Sequence, residues 1–219
     1  MTNAPIKNIT IVGGGTAGWM TAALLSKLLM GRYDITLIES EEIGTIGVGE
    51  ATIPAIKVFN EMLEVNEAEF LKGTQGTFKL GIEFVGWRDG PHDPTDSYIH
   101  GFGKIGIDRL WLHTHQFWLK MREKGMVKHF DHYAICCAAA RKGRFTPPDP
   151  RRGPPISDLD YAYHFDASLY ARYLRTLSEG RGVKRIEGRI TNVTLRPEDG
   201  FIDTVTLQSG QSIGGDLFI

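Results

Sequence analysis

Three glycines and one acidic residue near the N-terminus have the types and spacing of a dinucleotide-binding turn. Gly13, Gly15 and Gly18 fill the pattern G-x-G-x-x-G, and Glu39 follows about twenty residues later. The first glycine permits a tight turn, the second lets backbone approach a pyrophosphate, and the third lets a helix pack on a strand. The N–H groups of a helix starting near Thr16 would hold phosphate, and the Glu39 carboxylate would accept hydrogen bonds from a ribose diol.

The flanking sequence contains the elements that such a turn requires. An apolar strand at 9–12 precedes the glycines, and 34–39 is a second predicted strand that ends in the acid. Four apolar residues at helical spacing lie between them: Ala17, Met20, Leu24 and Leu28. If only the three glycines are considered, the alternative to a dinucleotide site is a glycine-rich turn that binds no ligand. The complete order of strand, glycines, helix, strand and acid predicts a dinucleotide site, although it does not separate NAD from FAD.

Composition sets the broad class. The chain has 219 residues, with 25 Lys and Arg against 26 Asp and Glu, so we expect one or two domains and neither nucleic acid nor an anionic membrane as partner. No apolar run approaches the ~18 residues of a membrane span, and the N-terminus does not resemble a secretory signal, which predicts a cytoplasmic location.

The adjacent Cys136 and Cys137 are predicted to be buried thiols. His113 and His115 would face different ways on a helix, and no metal site is predicted.

The central region of the chain contains further elements. A glycine-rich loop at 44–54 leads into a predicted helix. Residues 77–87 alternate as one strand with the apolar residues on one face, so Lys79 is expected to project from the other. In an amphipathic strand such a lysine is ordinarily a solvated charge. A helix is predicted from about Asp108 to Lys124.

Residues 141–157 contain five prolines among basic residues, without core periodicity, and predict an exposed loop. The basic residues are Arg141, Lys142, Arg144, Arg151 and Arg152. Such a cluster could contact an anion, although a solvated loop is the simpler account.

The last third of the chain predicts a helix followed by strands. Asp166 is a predicted N-cap, and Gly180 and Gly182 end the helical pattern. A short strand and a β-meander are predicted next, at 183–186, 189–195 and 201–207. Residues 216–219 predict a final strand. Because termini usually lie at exposed, poorly ordered positions, we expect this chain to be the N-terminal portion of a longer enzyme.

Several segments together resemble the flavin-dependent halogenases of the tryptophan halogenase family. They are Gly13–Trp19, Gly47–Pro54, Phe78–Ile82 and the block from Gly188 to Ile219, and the resemblance covers essentially the whole chain. It implies an α/β, Rossmann-like FAD-binding fold, a parallel sheet plus a β-meander, interleaved with a second, substrate-side layer. The implied regions are an FAD-binding segment at 1–72, a substrate-side segment at 73–163, and another FAD-binding segment at 164–219, incomplete at its C-terminus.

The resemblance also implies which residues bind the cofactor. They are Gly13, Gly15, Thr16, Ala17, Gly18, Glu39, Gly49, Glu50, Ala51 and the Ile190 backbone, the last at the adenine end. Glu50 lies in a loop that in the family touches both flavin and substrate site. It could equally be an acid stabilised by the dipole of the following helix, and both roles can hold together.

The chemistry that the resemblance implies centres on Lys79. Reduced flavin from a separate reductase reacts with O2 to give a flavin hydroperoxide, chloride or bromide attacks it, and hypohalous acid results. Lys79 matches the family's lysine, whose ammonium hydrogen-bonds hypohalous acid or whose neutral amine takes the halogen. An electron-rich aromatic such as tryptophan or another indole is the implied substrate, and a homodimer stays open as the assembly.

Some family features are missing from this chain. The Gly-Trp-x-Trp-x-Ile-Pro segment is absent, and Gly86–Asp89 does not replace it. The glutamate partner of the lysine and the halide site would lie beyond Ile219, so we expect no turnover from this portion alone. Two alternatives remain: a flavin monooxygenase that inserts oxygen, which a halide requirement would exclude, and an inactive FAD-binding module.

Overall fold

The computed structural model describes residues 5–43, 48–87 and 96–219. Residues 44–47 of the predicted glycine-rich loop lie outside these ranges, as do Arg88 and Asp89. The chain forms two compact units. The first comprises Met1–Glu50, Asn60–Gly76 and Phe165–Ile219, and the second comprises Ala51–Phe59 and Thr77–His164. Residues 51–59, which belong to the FAD-binding segment predicted at 1–72, thus lie in the second unit.

The described residues form twelve strands and six α-helices. The strands are β1 (Asn8–Val12), β2 (Asp34–Glu39), β3 (Gly49–Ala51), β4 (Thr77–Lys79), β5 (Gly81–Val85), β6 (Ser97–Gly101), β7 (Ala162–Asp166), β8 (Lys184–Glu187), β9 (Ile190–Leu195), β10 (Ile202–Leu207), β11 (Ser212–Gly214) and β12 (Leu217–Phe218). The helices are α1 (Thr16–Leu29), α2 (Ala55–Met62), α3 (Glu67–Thr74), α4 (Thr114–Arg122), α5 (Ile135–Arg141) and α6 (Ala167–Glu179). Within these ranges, none of the helices has both the length and the apolar character of a membrane span.

The first unit is built on a parallel sheet in the order β12-β1-β2-β8. The register pairs Val12 with Ile38, so the glycine turn after β1 lies at the same sheet edge as the end of β2. Asp216 closes the other end of β1, because its Oδ2 accepts hydrogen bonds from the N–H groups of Lys7 and Asn8, each at 2.8 Å. This βαβ arrangement and its parallel sheet confirm the predicted fold class.

An antiparallel β-meander in the order β11-β10-β9 forms a second sheet in this unit. Val205, Leu207 and Ile213 of the meander share a buried apolar cluster with Ile38 of β2. Burying such aliphatic side chains stabilises the packing by roughly 1.5–3 kcal/mol each. The meander is therefore fixed against the strand that carries Glu39, and the predicted meander is confirmed.

Helix α1 buries a different stripe from the predicted one. Its buried side chains are Trp19, Ala22, Ala23 and Ser26, whereas Ala17 and Leu28 are exposed. Apart from Trp19, the side chains of this buried stripe are small, and their small size lets α1 and α6 pack closely.

The predicted N-cap of α6 is confirmed, because the Asp166 carboxylate accepts a hydrogen bond from the Leu169 N–H at 2.9 Å.

In the second unit, the predicted strand at 77–87 is wrong in one respect. The chain leaves regular pairing at Leu80, so β4 pairs antiparallel with β7 while β5 pairs antiparallel with β6. The alternation is lost at this point: Lys79 and Leu80 are both buried, and Phe78 is exposed. Two different partner strands, the distant β7 for β4 and the next strand β6 for β5, decide which side chains face inward.

The predicted helix at 108–124 is shorter in the structure. Arg109 and Leu112 exchange backbone hydrogen bonds of 2.9 Å in a tight turn, and Leu110 has a φ of 54°. Helix α4 therefore begins only at Thr114, whose N–H donates to Asp108 Oδ1 at 2.8 Å. The predicted loop at 141–157 contains two short 3-10 turns, Pro150–Arg152 and Ile156–Asp158.

Candidate functional site

Each glycine of the N-terminal motif has a separate physical role in the first unit. Gly13 has a φ of 115°, which L side chains rarely adopt. A Cβ on Gly18 would lie 1.8 Å from the Gly13 carbonyl oxygen, so this position must lack a side chain for α1 to pack. A Cβ on Gly15 would meet nothing within 4 Å. The backbone at Gly15 is thus open to a ligand, as the second glycine of the pattern requires.

The start of α1 has the features of an anion site. Gly15 is its N-cap and has no side chain to accept hydrogen bonds from the first N–H groups, and the first turn carries no acidic residue. Thr16 and Ala17 form that turn. The N–H groups and the positive end of the helix dipole are therefore available to phosphate oxygens.

Glu39 is held by side chains that the sequence did not reveal. Trp19 Nε1 donates to Glu39 Oε2 at 3.2 Å, Arg185 Nε donates to Glu39 Oε1, and Arg175 lies 3.5 Å from the same oxygen. The carboxylate passes directly over Gly14, where any Cβ would overlap it. Gly14 is consequently a fourth required glycine, although it occupies a variable position of the pattern.

A cavity of about 620 Å³ adjoins this network within the first unit. Four of the predicted cofactor residues line it, namely Gly13, Gly15, Glu39 and Ile190. Gly18 packs against the turn, and the β3 residues Gly49, Glu50 and Ala51 are not in the described lining. A glycine cradle, an uncapped helix start and a fixed carboxylate together fit the adenosine and pyrophosphate portion of a dinucleotide.

Lys79 is buried in the second unit. Its side chain is 7% exposed, and Nζ donates to the Thr52 carbonyl oxygen at 2.8 Å. The ammonium also lies 5.4 Å from the ring centroid of Phe102. Burial lowers the pKa of Lys79 below its ordinary value, because desolvation disfavours the charged form.

A second cavity, of about 700 Å³, lies beside Lys79 and is lined only by second-unit residues among those described. Phe78 and Phe145 of its wall stack at 3.8 Å between centroids, and Tyr161 meets both rings edge-on. The cavity therefore combines a buried amine with an aromatic wall. Such a combination suits a flat apolar ligand that must be placed against one polar group.

A buried carboxylate supports the far wall of this cavity. Asp131, which is 4% exposed, accepts hydrogen bonds from the Ile99 N–H at 3.1 Å and from Arg141, and His129 Nδ1 lies 3.0 Å away. Burial alone would raise the pKa of Asp131, but Arg141, His129 and the Ile99 N–H lower it to about 2. Asp131 is thus ionised and ties β6 to Arg141, which lines the cavity.

We expect Asp131 to make the fold acid-sensitive. Because its pKa lies below the ordinary 3.8, the ionised group stabilises the fold fully above about pH 4, by about 2 kcal/mol, and this is lost as pH falls towards 2. Urea unfolding of Asp131→Asn should therefore show a deficit at pH 7 that shrinks at pH 3. Asp203→Asn, which changes an exposed carboxylate of β10, is the control. An equal deficit of Asp131→Asn at both pH values would contradict the assignment.

Comparison with known proteins decides the family. A family model described as Tryptophan halogenase matches residues 8–219. The chain belongs to the tryptophan halogenase family. Its relatives include Tryptophan 6-halogenase ThaL of Streptomyces albogriseolus, which is 36% identical over 230 residues covering 98% of this chain and 42% of that protein.

Solved structures of flavin-dependent halogenases have the same fold as the chain. Xcc4156, a flavin-dependent halogenase from Xanthomonas campestris, is 48% identical with a TM-score of 0.88, over 98% of this chain and 42% of that one. BrvH, a flavin-dependent halogenase from Brevundimonas sp. BAL3, is 42% identical with a TM-score of 0.85, over 97% and 42%. The chain thus spans about two-fifths of the length of these halogenases. The predicted family and fold class are confirmed.

Sequence reasoning missed several residues of these two sites. Arg185 and Trp19 orient Glu39, and Asp131 holds Arg141. Arg185 lies in the short strand β8, and Asp131 lies in a 3-10 turn, Phe130–Tyr133. Neither residue is surrounded by a recognisable sequence pattern. Trp19, directly after the glycine motif, was the one signal that could have been read as belonging to the site.

Proposed function

We propose that the whole protein is an FADH2-dependent halogenase that uses O2 and chloride or bromide to halogenate an electron-rich aromatic, such as tryptophan or another indole. Family membership and the buried Lys79 beside an aromatic-walled cavity support this proposal. The observation that carries it is the Lys79 ammonium itself. A lysine at a solvated strand face has no reason to be buried beside a cavity, whereas a lysine that positions an electrophile must be shielded from water.

The first unit would hold FAD. We assign the pyrophosphate to the Gly13–Gly18 turn and the first turn of α1, with Thr16 and Ala17, and the ribose to Glu39. Ile190 backbone would contact the adenine end, and Gly49, Glu50 and Ala51 would contact the cofactor from β3. Residues 1–72 and 164–219 thus supply flavin binding, and 73–163 the substrate side. This unit would hold reduced flavin delivered by a separate reductase, and the chemistry that the flavin would supply there is the activation of O2 for oxidation of halide to hypohalous acid.

Lys79 would then direct hypohalous acid to the substrate. Its Nζ already donates to the Thr52 carbonyl oxygen, and an ammonium has two further donors for the hypohalous oxygen. Hydrogen bonding to that oxygen draws electron density from the halogen and raises its electrophilicity. The lowered pKa also increases the fraction of neutral amine, which could take the halogen as a haloamine.

The experiment that tests this function is a halide-dependence assay. The whole protein is supplied with FAD, a flavin reductase, NADH and O2, and with indole or tryptophan, in chloride, bromide or halide-free buffer. Mass spectrometry should find a halogenated aromatic only where halide is present. An oxygenated product that forms without halide would identify a monooxygenase, and bound flavin without product under any condition would identify a binding module.

A further inference from the structure

Thr52 is bound to β7 through both its side chain and its backbone in the second unit. Its Oγ1 donates to the Tyr163 carbonyl oxygen at 2.9 Å and accepts from the Tyr163 N–H at 3.1 Å. The Thr52 N–H donates to the same carbonyl oxygen at 3.0 Å. A hydroxyl can donate and accept at once, so this side chain takes the place of a neighbouring backbone. Three hydrogen bonds therefore fix Thr52 against Tyr163.

The carbonyl group of Thr52 is the acceptor for Lys79. Strand β4 pairs with the opposite edge of β7, where Lys79 stands opposite Ala162. The Lys79 side chain therefore crosses β7 to place its Nζ 2.8 Å from the Thr52 carbonyl oxygen. The position of that oxygen depends on the residue whose hydroxyl and N–H are bound to Tyr163.

This acceptor matters because the ammonium has little other support. Burial lowers the pKa of Lys79, and no carboxylate among the described residues offsets that effect. The Phe102 ring lies 5.4 Å from Nζ and offers a cation–π contact. A hydrogen bond to the charged form favours the ammonium. It also restricts the directions of the remaining N–H donors, which a flexible four-carbon stem does not restrict by itself.

We propose that Thr52 is a positioning residue whose hydroxyl, bound to Tyr163, holds the carbonyl oxygen that orients the Lys79 ammonium. The consequence in turnover rests on the proposed function, whereas the contact itself needs no flavin. If the carbonyl oxygen were free to move, Lys79 would meet hypohalous acid in varied orientations. More of that acid would then escape without reacting with the substrate.

The first test measures the amine directly. Thr52→Val keeps the branched shape and removes the hydroxyl, and Thr52→Ser keeps the hydroxyl and removes the methyl. The whole protein is pulsed with acetic anhydride, which acylates neutral amines, and mass spectrometry quantifies the peptide that contains Lys79. Thr52→Val should be acylated at Lys79 roughly fivefold faster than the parent, because a weaker hydrogen bond leaves more neutral amine. Thr52→Ser should stay within about twofold of the parent.

The second test follows hypohalous acid during turnover. Thr52→Val should form about tenfold less halogenated aromatic while flavin oxidation continues. A soluble 1,3-diketone, added as a trap, should become halogenated by the acid that escapes. Thr52→Ser should restore both readings. Thr77→Val removes an exposed hydroxyl of β4 that is not in the described cavity lining, and this matched control should change neither reading.

A general loss of stability is distinguished by Lys57, which pairs with Asp160 in the same unit. Loosening of the unit would speed acylation of Lys57 and Lys79 together. If Thr52→Val does not fold, Thr52→Ala against Thr52→Ser supplies the same contrast.

Two results would overturn the proposal: unchanged acylation of Lys79 in a folded variant that lacks the hydroxyl, or equal loss of product in Thr52→Val and Thr52→Ser. Acceleration at Lys57 equal to that at Lys79 would also overturn it. A parent protein that shows the acylation contrast but makes no halogenated product would instead disprove the proposed function. The positioning of Lys79 by Thr52 would then still stand.

Discussion

Replacing Lys79 by Met is expected to abolish halogenated product while flavin binding and oxygen consumption by the reduced enzyme persist. Met retains most of the buried stem and removes the ammonium, and the lysine is proposed to act only after hypohalous acid has formed. We expect the rate of product formation to fall on the order of a hundredfold or more, as for the loss of a positioned acid or base group. Mass spectrometry of product and bound-flavin absorbance measure the two effects separately.

The control for this variant is Lys120→Met, which changes an exposed lysine of α4 in the same unit. Loss of the Nζ donor leaves the Thr52 carbonyl oxygen without its hydrogen bond, so a destabilisation of about 1–3 kcal/mol is expected in Lys79→Met. Unfolding measurements on Lys79→Met quantify this destabilisation, so that it is not mistaken for a catalytic effect. A variant that loses flavin would show a structural role, and retained halogenation would disprove the catalytic role.

The pH dependence separates the two roles proposed for Lys79. Its pKa lies below the ordinary 10.5 because of burial. If the ammonium activates hypohalous acid, the rate of the halogenation step should fall as pH rises through this lowered pKa. If the neutral amine carries the halogen, the rate should rise over the same interval.

Replacing Gly15 by Val is expected to abolish flavin binding without unfolding the protein. The backbone at Gly15 has φ −72° and ψ −178°, which any residue can adopt, and a Cβ there meets no protein atom within 4 Å. The added side chain would instead occupy the space that the pyrophosphate needs. We expect at least about a hundredfold weaker FAD binding by fluorescence titration, with unfolding free energy changed by about 0.5 kcal/mol or less.

Gly18→Ala provides the matched contrast. Its Cβ would lie 1.8 Å from the Gly13 carbonyl oxygen, so this smaller substitution should destabilise the fold itself. Thermal unfolding distinguishes the two variants, since only Gly18→Ala should unfold at lower temperature. If folded Gly15→Val binds FAD as tightly as the parent, the pyrophosphate does not lie at this turn.

Local sequence was sufficient for the elements that depend on neighbouring residues. The glycine turn, the strand ending at Glu39 and the Asp166 cap were predictable because positive φ, helix capping and strand alternation act over a few residues. The same holds for the order of the meander strands, which turn residues separate. These signals were enough to predict a dinucleotide at the first turn. The family was suggested by the resemblance of further segments, among them Gly47–Pro54 and Phe78–Ile82.

Pairing between distant segments was decided only in the folded chain. Arg185 reaches Glu39 across 146 positions, and no local pattern marks that partnership. The strand through Lys79 divides at Leu80 because the distant strand β7 pairs with β4, whereas β5 pairs with the strand that follows it, β6. Alternation predicts which side chains share a face, but the partner strands decide which face is buried.

The sequence alone therefore determined the turn and the acid as candidates, because residue type and spacing express local chemistry directly, whereas Lys79 became a candidate only through the resemblance to the family. Tertiary structure decided that Lys79 is buried, that Asp131 holds Arg141, and that Phe145 stacks on Phe78. Burial and charge pairing depend on which distant residues are brought within a few ångströms, and they set both the pKa of a lysine and the charge of a cavity. A single sequence does not contain those distances.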